Sequence, residues 1–344
     1  MPFTLNVDGD RWRAHLRSIV VANEGIVPVI KGNGYGFGNG RLARRADWLG
    51  VDTISVGTYE EIPDVLSRFG GDVMVLSPWR PFLTGVPYDR RVIHTVGRVA
   101  DIEALVTAAP SGTRVLVEGQ TSMERHGLDR HSLAAATKAL GRLEVAGFAI
   151  HLPMAGGNLG EAEKWAAVLE RSQLETTTFF ASHLTGAEYG VLRRRRPGLT
   201  IRPRIGTGLW LGDLGALSVQ ATVLDCHGVS RGERVGYRQR AMPRDGHLVI
   251  ISGGTSHGIG MEGPKAANGL MQRGKSVAKG GLEAAGLTLS PFTIAGKQRW
   301  FVEPPHMQAS MVFLPESVTP PEIGDTVSAA VRFTTALFDR IIFD

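Results

Sequence analysis

The residue best suited to chemistry is Lys31. It directly follows the apolar run Ile26-Val27-Pro28-Val29-Ile30 and precedes Gly32-Asn33-Gly34-Tyr35-Gly36-Phe37-Gly38-Asn39-Gly40. A lysine at the mouth of a buried strand is partly desolvated, which lowers its pKa and makes the amine a candidate to form an imine with a carbonyl compound. The glycines beyond it let the backbone come close to a ligand, and a helix expected from about Arg41 offers free N–H groups to an anion. A surface lysine snorkelling beside a flexible turn would carry the same local sequence. Other cationic or titratable residues fall at comparable stations: Arg125, His151, His183 and Arg204 each lie at or just past the end of an apolar run. Any one of them could be structural, but five such residues on one rim point to a site.

Those runs are short and recur through the first two hundred residues. They cover Ile26–Ile30, Thr53–Val56, Val73–Leu76, Val92–Val96, Arg114–Glu118, Val145–His151, Thr177–Ser182 and Thr200–Ile205. Helix-period segments lie between several of them, at Glu60–Phe69, Val99–Ala108, Arg130–Leu140, Gly160–Ser172 and Leu184–Arg193. Strands alternating with helices imply a parallel sheet, and eight of them close a (β/α)8 barrel, the TIM-barrel form of the α/β class. Barrels of this kind carry their chemistry on the loops that follow the strands, where the five residues fall.

The texture changes after about Gly212. Ser218–Leu224, His247–Ser252, Trp300–Glu303, Gln308–Leu314 and Thr326–Phe333 read as strands without regular helices between them. We therefore expect a barrel over 1–212, with the first few residues free to pair elsewhere, and a β-rich C-terminal domain over 213–344. A long, mobile Gly/Lys-rich loop is expected at 253–281. Its cations, Lys265, Arg273, Lys275 and Lys279, would either attract an anion or keep the segment soluble.

Bulk composition narrows the class. The 344 residues are 43% hydrophobic, enough for two cored domains, and the net charge of +5 is too mild to argue for nucleic acid. The one cysteine, Cys226, excludes an intrachain disulfide, fits a cytoplasmic setting, and reads as a buried structural thiol at a strand end. The opening residues lack a basic and apolar signal pattern, and no apolar run is long enough for a bilayer. No Cys/His cluster has zinc spacing, so no metal is expected. Arg193–Arg196 reads as a solvated cap on a helix C-terminus.

Val29-Ile30-Lys31-Gly32-Asn33-Gly34-Tyr35-Gly36-Phe37-Gly38 resembles the lysine motif of the alanine racemase family, V-V-K-A-N-A-Y-G-H-G. The resemblance implies a barrel that binds pyridoxal 5′-phosphate on Lys31, with Tyr35 on the phosphate, and a homodimer whose sites are shared between subunits. Val117-Glu118-Gly119-Gln120-Thr121-Ser122-Met123-Glu124-Arg125-His126-Gly127 is similar to K-V-D-T-G-M-x-R-x-G, which would make Arg125 the arginine of the cofactor's phenolic oxygen and the substrate carboxylate. The family's often carbamylated lysine is replaced there by Glu118. Phe148-Ala149-Ile150-His151-Leu152 resembles the strand whose histidine packs on the pyridine ring. Thr185 stands for the phosphate serine, and Arg204-Ile205-Gly206-Thr207-Gly208-Leu209-Trp210 for R-P-G-I-x-L-Y, with Gly206 and Thr207 on the phosphate. A register opening on Arg202 and Pro203 is the alternative. An arginine beside the pyridine nitrogen leaves that nitrogen unprotonated, which weakens the ring as an electron sink.

The resemblance fails on the substrate side. Gly254 stands where the family's second catalytic tyrosine belongs, and His257 is the best replacement for it; a histidine bound only to backbone or solvent is the competing reading. Pro304-Pro305-His306-Met307-Gln308 is all that corresponds to the family's M-D motif. The expected activity is racemase-type isomerisation at the Cα of an amino acid or amino-acid derivative, since a two-base racemase needs a group on each face. The alternatives are a PLP-binding protein without turnover, a one-base PLP enzyme such as a decarboxylase, and a barrel that has abandoned PLP. Neither nucleic acid nor membrane is expected as a partner.

Overall fold

The apolar runs become strands because each alternates or fills both faces of a pleated surface. The computed structural model describes residues 2–261 and 288–344; the four loop cations and most of the expected 253–281 loop lie outside the described residues. Contacts group the chain into two units, Arg13–Gly212 and Met1–Trp12 with Asp213–Asp344.

The chain opens with strand β1 (Thr4–Val7) and helix α1 (Gly9–Ala22). The first unit then runs through β2 (Val27–Pro28), α2 (Asn39–Trp48), β3 (Thr53–Val56), α3 (Ile62–Leu66), β4 (Asp72–Val75), β5 (Val92–Val96), α4 (Val99–Ala108) and β6 (Arg114–Gly119). It continues with α5 (Leu133–Ala139), β7 (Glu144–His151), α6 (Asn158–Arg171), β8 (Thr178–Ser182), α7 (Gly186–Arg195), β9 (Thr200–Ile205) and α8 (Thr207–Trp210). The eight strands β2–β9 pair in parallel with their neighbours, and β9 pairs back to β2. A parallel bridge from Val29 to Ser55, with Ile30 N–H donating to Ser55 O at 2.7 Å, joins β2 to β3 and closes the ring. This is a (β/α)8 barrel.

Several elements are shorter than the sequence predicts: the helix expected over Glu60–Phe69 covers only Ile62–Leu66, and the strand expected over Thr326–Phe333 stops at Ala329. The strand expected over Ile26–Ile30 is cut to Val27–Pro28, because Pro28 has no N–H for the ladder and Ile26 N–H turns to Asn23 O. The helix expected from Arg130 starts at Leu133, because Asp129 draws the His131 and Ser132 amides into a turn.

Val27, Met74, Ile93, Leu116, Ala149 and Phe180 form one apolar layer inside the barrel. Two residues further along their strands, on the same face, stand Glu118, His151 and Ser182; Arg202 pairs with Phe180, which puts Arg204 in that polar layer too. Each buried apolar side chain contributes roughly 1.5–3 kcal/mol. An unpartnered buried polar group costs about 1–3 kcal/mol. The apolar layer can therefore sustain a polar one above it.

The second unit contains β10 (Leu217–Val229), β11 (Arg234–Val235), β12 (Arg240–Ala241), β13 (Gly246–Ser252), β14 (Leu289–Ile294), β15 (Lys297–Phe301), β16 (Ala309–Pro315), β17 (Thr326–Ala329) and β18 (Arg340–Phe343). Its main sheet runs β13-β16-β15-β14-β17-β10-β1-β18, with β13 also paired to β10, and is antiparallel except where β1 meets β18. Its core includes Val229, Val235, Leu248, Val302 and Phe313. Cys226 is not at a strand end: β10 continues past it to Val229, and the thiol is half-buried, its pKa pushed up by burial and by Asp225. Among the described residues no helix is long and apolar enough to cross a membrane, and no cluster of His, Cys, Asp or Glu is placed to hold a metal ion.

Candidate functional site

Lys31 is the first residue beyond the closed ring, with its approach fixed from both sides. Val29 N–H donates to Ile205 O at 2.9 Å, and Ile30 N–H to Ser55 O. Burial lowers the Lys31 pKa, the charges of Arg125 and Arg204 lower it further, and Glu61 opposes them. The Glu61 carboxylate is itself held in place: Gly32 N–H donates to it at 2.7 Å and Gly57 N–H at 2.6 Å. A Cβ on Gly57 would lie 3.1 Å from Lys31 Cβ and 3.2 Å from Glu61 Oε2, so the close approach favours glycine. Glu61 was not singled out from the sequence; the signal was the capping box Thr58-Tyr59-Glu60-Glu61 directly after a strand.

The glycine-rich turn bends back on itself through left-handed residues. Gly32, Gly34, Gly36 and Gly38 all have positive φ, and so does Tyr35, at 55°. That conformation is costly for a residue with a Cβ and is sustained only by its surroundings. The Tyr35 ring is buried, its hydroxyl hydrogen-bonds the Thr207 side chain, and burial pushes the phenol up to about 12. Gly206 packs under that hydroxyl: a Cβ there would sit 2.1 Å from Tyr35 Oη. α8 starts at Thr207, so its first N–H groups have no partner within the helix. Tyr35, Gly206 and Thr207 thus come together as a donor-rich cradle.

Arg204 is buried within the mouth. Its Nη2 donates to Ile150 O at 2.8 Å, while Nε has no partner among the described residues. Arg202, two residues earlier, turns to the other end of the strand, donating to Gly25 O at 2.9 Å and pairing with Asp52. Glu118 is buried near these charges. Burial pushes its carboxyl up, Arg204, Arg125 and Arg80 pull it back, and its Oε2 has no partner among the described residues.

His151 Nδ1 meets Ser182 Oγ at 2.8 Å, and its backbone carbonyl accepts from Thr121 Oγ1 at 2.6 Å. Burial and then Arg204, Arg125, His183 and Lys31 push the imidazole down to about 3, so it is neutral at pH 7. Ser182 was also missed; it lies two residues beyond an interior phenylalanine on the same strand face. Arg125 is exposed in the loop after β6. That loop is tied down by Ser122, whose N–H and Oγ reach Glu161 at 2.7 and 2.6 Å, and by Trp165 Nε1 donating to Gln120 O. Arg125 makes no hydrogen bond or ion pair among the described residues, yet its charge acts on Lys31, Glu118, His151 and His183.

Two of the singled-out residues stand apart from this cluster. Thr185 caps α7, its hydroxyl donating to Glu188 Oε2 at 2.8 Å and accepting from Glu188 N–H at 3.2 Å. His257 belongs to the C-terminal unit, where both ring nitrogens are engaged. Nδ1 accepts from Gly254 N–H at 3.2 Å and Nε2 meets Asp339 Oδ1 at 3.1 Å, while Asp339 Oδ2 accepts from Phe3 N–H. In the same unit Pro304–Gln308 lines a cavity of about 670 Å³ with Tyr237, and His306 meets the buried Glu303 at 2.7 Å.

The barrel mouth as built fits a flat heteroaromatic phosphate that carries a carbonyl. It has a neutralisable amine, an unpartnered buried arginine donor, and a cradle that a single Cβ would fill.

Residues 7–193 match the family model described as alanine racemase, N-terminal domain. Over 264 residues the chain is 25% identical to the alanine racemase of Mycobacterium tuberculosis (strain ATCC 25618 / H37Rv), covering 68% of this chain and 67% of that one. Among solved structures, alanine racemase from Bartonella henselae with covalently bound pyridoxal phosphate matches with a TM-score of 0.68 at 18% identity, over 96% of this chain and 91% of that one. Histidine racemase from Leuconostoc mesenteroides subsp. sake gives 0.65 at 19% identity, over 95% and 87%. At such identities the structural likenesses establish the fold.

Proposed function

The chain belongs to the alanine racemase N-terminal domain family, and on that premise we propose that it is a pyridoxal-phosphate-dependent, racemase-like isomerase acting at the Cα of an amino acid or amino-acid derivative. The observation that carries this reading is the meeting of Lys31, its pKa lowered, with Arg125, Arg204 and the Tyr35–Gly206–Thr207 cradle on one barrel rim. We take it to act as a cytoplasmic homodimer, as the family implies and the lone free cysteine permits.

Bound pyridoxal phosphate would supply an aldehyde for the lysine amine and an electron sink for the charge that develops at Cα. The chain's own residues then have separable tasks. Tyr35 Oη, the Thr207 hydroxyl and the Gly206–Thr207 amides bind phosphate, with Thr185 a further phosphate ligand once its hydroxyl leaves Glu188. Arg204 would offer its Nε–H, unpartnered among the described residues, to the ring nitrogen; guanidinium only donates hydrogen bonds and keeps its proton. His151, held neutral, packs against the ring. Arg125, unpaired among the described residues, orients the substrate carboxylate. The Lys31 amine takes or returns the Cα proton on one face, which its lowered pKa favours at neutral pH.

A second reading has its own support. Gly254 stands at the family's tyrosine position, and His257 would have to give up a hydrogen bond to act as the second base. With Lys31 as the only base, a stereospecific one-face reaction, such as decarboxylation or transamination, would follow.

The deciding experiment is the visible spectrum of the protein with pyridoxal phosphate, before and after borohydride, with mapping of the labelled lysine. A reducible band with label on Lys31 is expected. No band, or label elsewhere, overturns the proposal. Racemisation of a substrate by the unreduced enzyme, rather than one-enantiomer turnover, then separates the two readings.

A further inference from the structure

Among the described residues, five that are not glycine have positive φ: Tyr35, Glu124, His183, Gln239 and Ala295. The first three lie in the loops that leave β2, β6 and β8 at the barrel mouth. Left-handed backbone in such residues persists only where the surroundings impose it, and it clusters at working sites. Tyr35 has a task in the cradle; His183 has been given none.

His183, with φ 60°, immediately follows β8, and only β9 separates its strand from the one that carries Lys31. Its backbone is clamped from below. The buried Asn158, first residue of α6, donates Nδ2 to both His183 O and Pro153 O at 2.8 Å. Its ring stands edge-on to His151, centroids 5.1 Å apart at 84°, and neither ring nitrogen hydrogen-bonds to another described residue. A strained, exposed and unpaired imidazole is a poor choice for packing. Burial, followed by the charges of Lys31, Arg204 and Arg125, lowers its pKa, so it is present as a base.

We propose that His183 is a proton-transfer residue of this mouth, facing the substrate's Cα from the side that Lys31 does not serve. This rests on the reading of the mouth as a Cα proton-transfer site. In the step, the Cα–H bond breaks, its electron pair stays on carbon, and the proton passes to the free ring nitrogen of His183. Delivery of a proton from the Lys31 ammonium to the other face completes the inversion, and the reverse direction exchanges the two roles. The barrel then holds both groups itself.

The test uses the full chain and its His183→Ala and His183→Asn variants; asparagine tolerates the left-handed backbone and so guards against misfolding. Each is loaded with pyridoxal phosphate; one portion is labelled with borohydride to map the lysine, and a separate, unreduced portion is assayed for deuterium wash-in at Cα from each enantiomer of a panel of amino acids. Label on Lys31 should persist in both variants. Wash-in from one enantiomer should survive, while wash-in from the other and racemisation fall by about 100-fold or more, the usual range for a lost general base. A readout independent of turnover comes from the protein without cofactor: in Lys31→Ala the His183 imidazole should titrate at higher pH. His183→Gly, which relieves the strain, should raise Tm above that of His183→Ala. Equal wash-in from both enantiomers in the variants, with Lys31 still labelled, overturns the inference alone. No label on Lys31 in the unaltered chain overturns the reading beneath it, and the inference with it.

Discussion

Gly206→Ala tests the cradle most directly, because the consequence of one methyl group can be worked out in advance. The backbone of Gly206 lies at φ −112°, ψ −86°, outside the regions a residue with a Cβ usually adopts, so alanine adds some backbone strain to what its Cβ meets; that strain is common to both backgrounds compared below. It would lie 2.1 Å from Tyr35 Oη, 3.0 Å from Tyr35 Cζ and 3.3 Å from Val29 Cβ. Tyr35 is buried and sits on a strained left-handed backbone, so its ring has little room to retreat. Overpacking of this kind costs about 1–3 kcal/mol. Displacing the phenol from Thr207 forfeits a hydrogen bond worth about 0.5–1.5 kcal/mol. The substitution should therefore destabilise the chain by roughly 2–4 kcal/mol.

Tyr35→Phe separates the two contributions. It removes the hydrogen bond alone and should cost about 1 kcal/mol. In that background the worst contact of the alanine, with Oη, no longer exists, so adding Gly206→Ala should cost about 1–2 kcal/mol less than in the unaltered chain. Urea unfolding of the four proteins gives the coupling. Binding supplies the second arm: if the cradle holds phosphate, Gly206→Ala weakens pyridoxal phosphate about tenfold, equivalent to ~1.4 kcal/mol, and leaves unphosphorylated pyridoxal nearly unchanged. Strict additivity within about 0.5 kcal/mol, or equal loss for both ligands, would refute the argument that Gly206 is glycine because Tyr35 must reach the phosphate.

Two further outcomes are expected from electrostatics. Among the described residues Glu61 is the anion that raises the Lys31 pKa, so Glu61→Gln should lower that pKa further; an amine-directed reagent at fixed pH should then modify Lys31 faster, and an unchanged rate would sink the assignment. His94, buried at the middle of β5 with Nδ1 on the Tyr59 hydroxyl at 3.0 Å, is pushed down by burial from 6.5 to about 4. Its neutral form is the one the fold accepts, so its contribution is complete above pH 6.5 and is lost as pH falls towards 4, on the order of 3 kcal/mol in all. His94→Gln should flatten the stability profile over that window, and a profile parallel to the unaltered chain would count against it.

Much of the barrel was legible because its strands are short apolar runs alternating with helix-period segments, a signal that survives without tertiary information. α4 coincides with its expected span of Val99–Ala108. What escaped was decided elsewhere. α1 has a capping signal in Asp8, whose Oδ1 accepts from Arg11 N–H, but its apolar side is only Trp12, Leu16 and their neighbours among many arginines. β14 was hidden because Leu289–Ile294 contains Pro291, which ordinarily disqualifies a strand. At the mouth, Lys31, Arg125, His151 and Arg204 could be named from strand ends, since the end of a strand is visible in sequence. Glu61 and Asn158 could not, because each acts by donating to or accepting from backbone far away in the chain. Thr185-Gly186-Ala187-Glu188 carries the capping-box pattern by which Thr185 spends its hydroxyl on Glu188, whereas nothing in the sequence reveals that both His257 nitrogens are engaged.

The cations of the mouth have two effects that pull in one direction. Arg125 and Arg204 can receive anionic groups, and the same charges, acting across a partly desolvated space, hold Lys31, His151 and His183 in or towards their neutral forms. Glu118 cannot cancel this, because burial pushes its own carboxyl up and weakens the counter-charge it offers. A ligand carrying phosphate and carboxylate would supply the missing negative charge and so raise the pKa of every base around it. The groups that must accept a proton are thus biased towards their unprotonated forms before the anion arrives, and gain proton affinity as it binds. That ordering follows from Coulomb's law and the burial of the site, and it requires no movement of the chain.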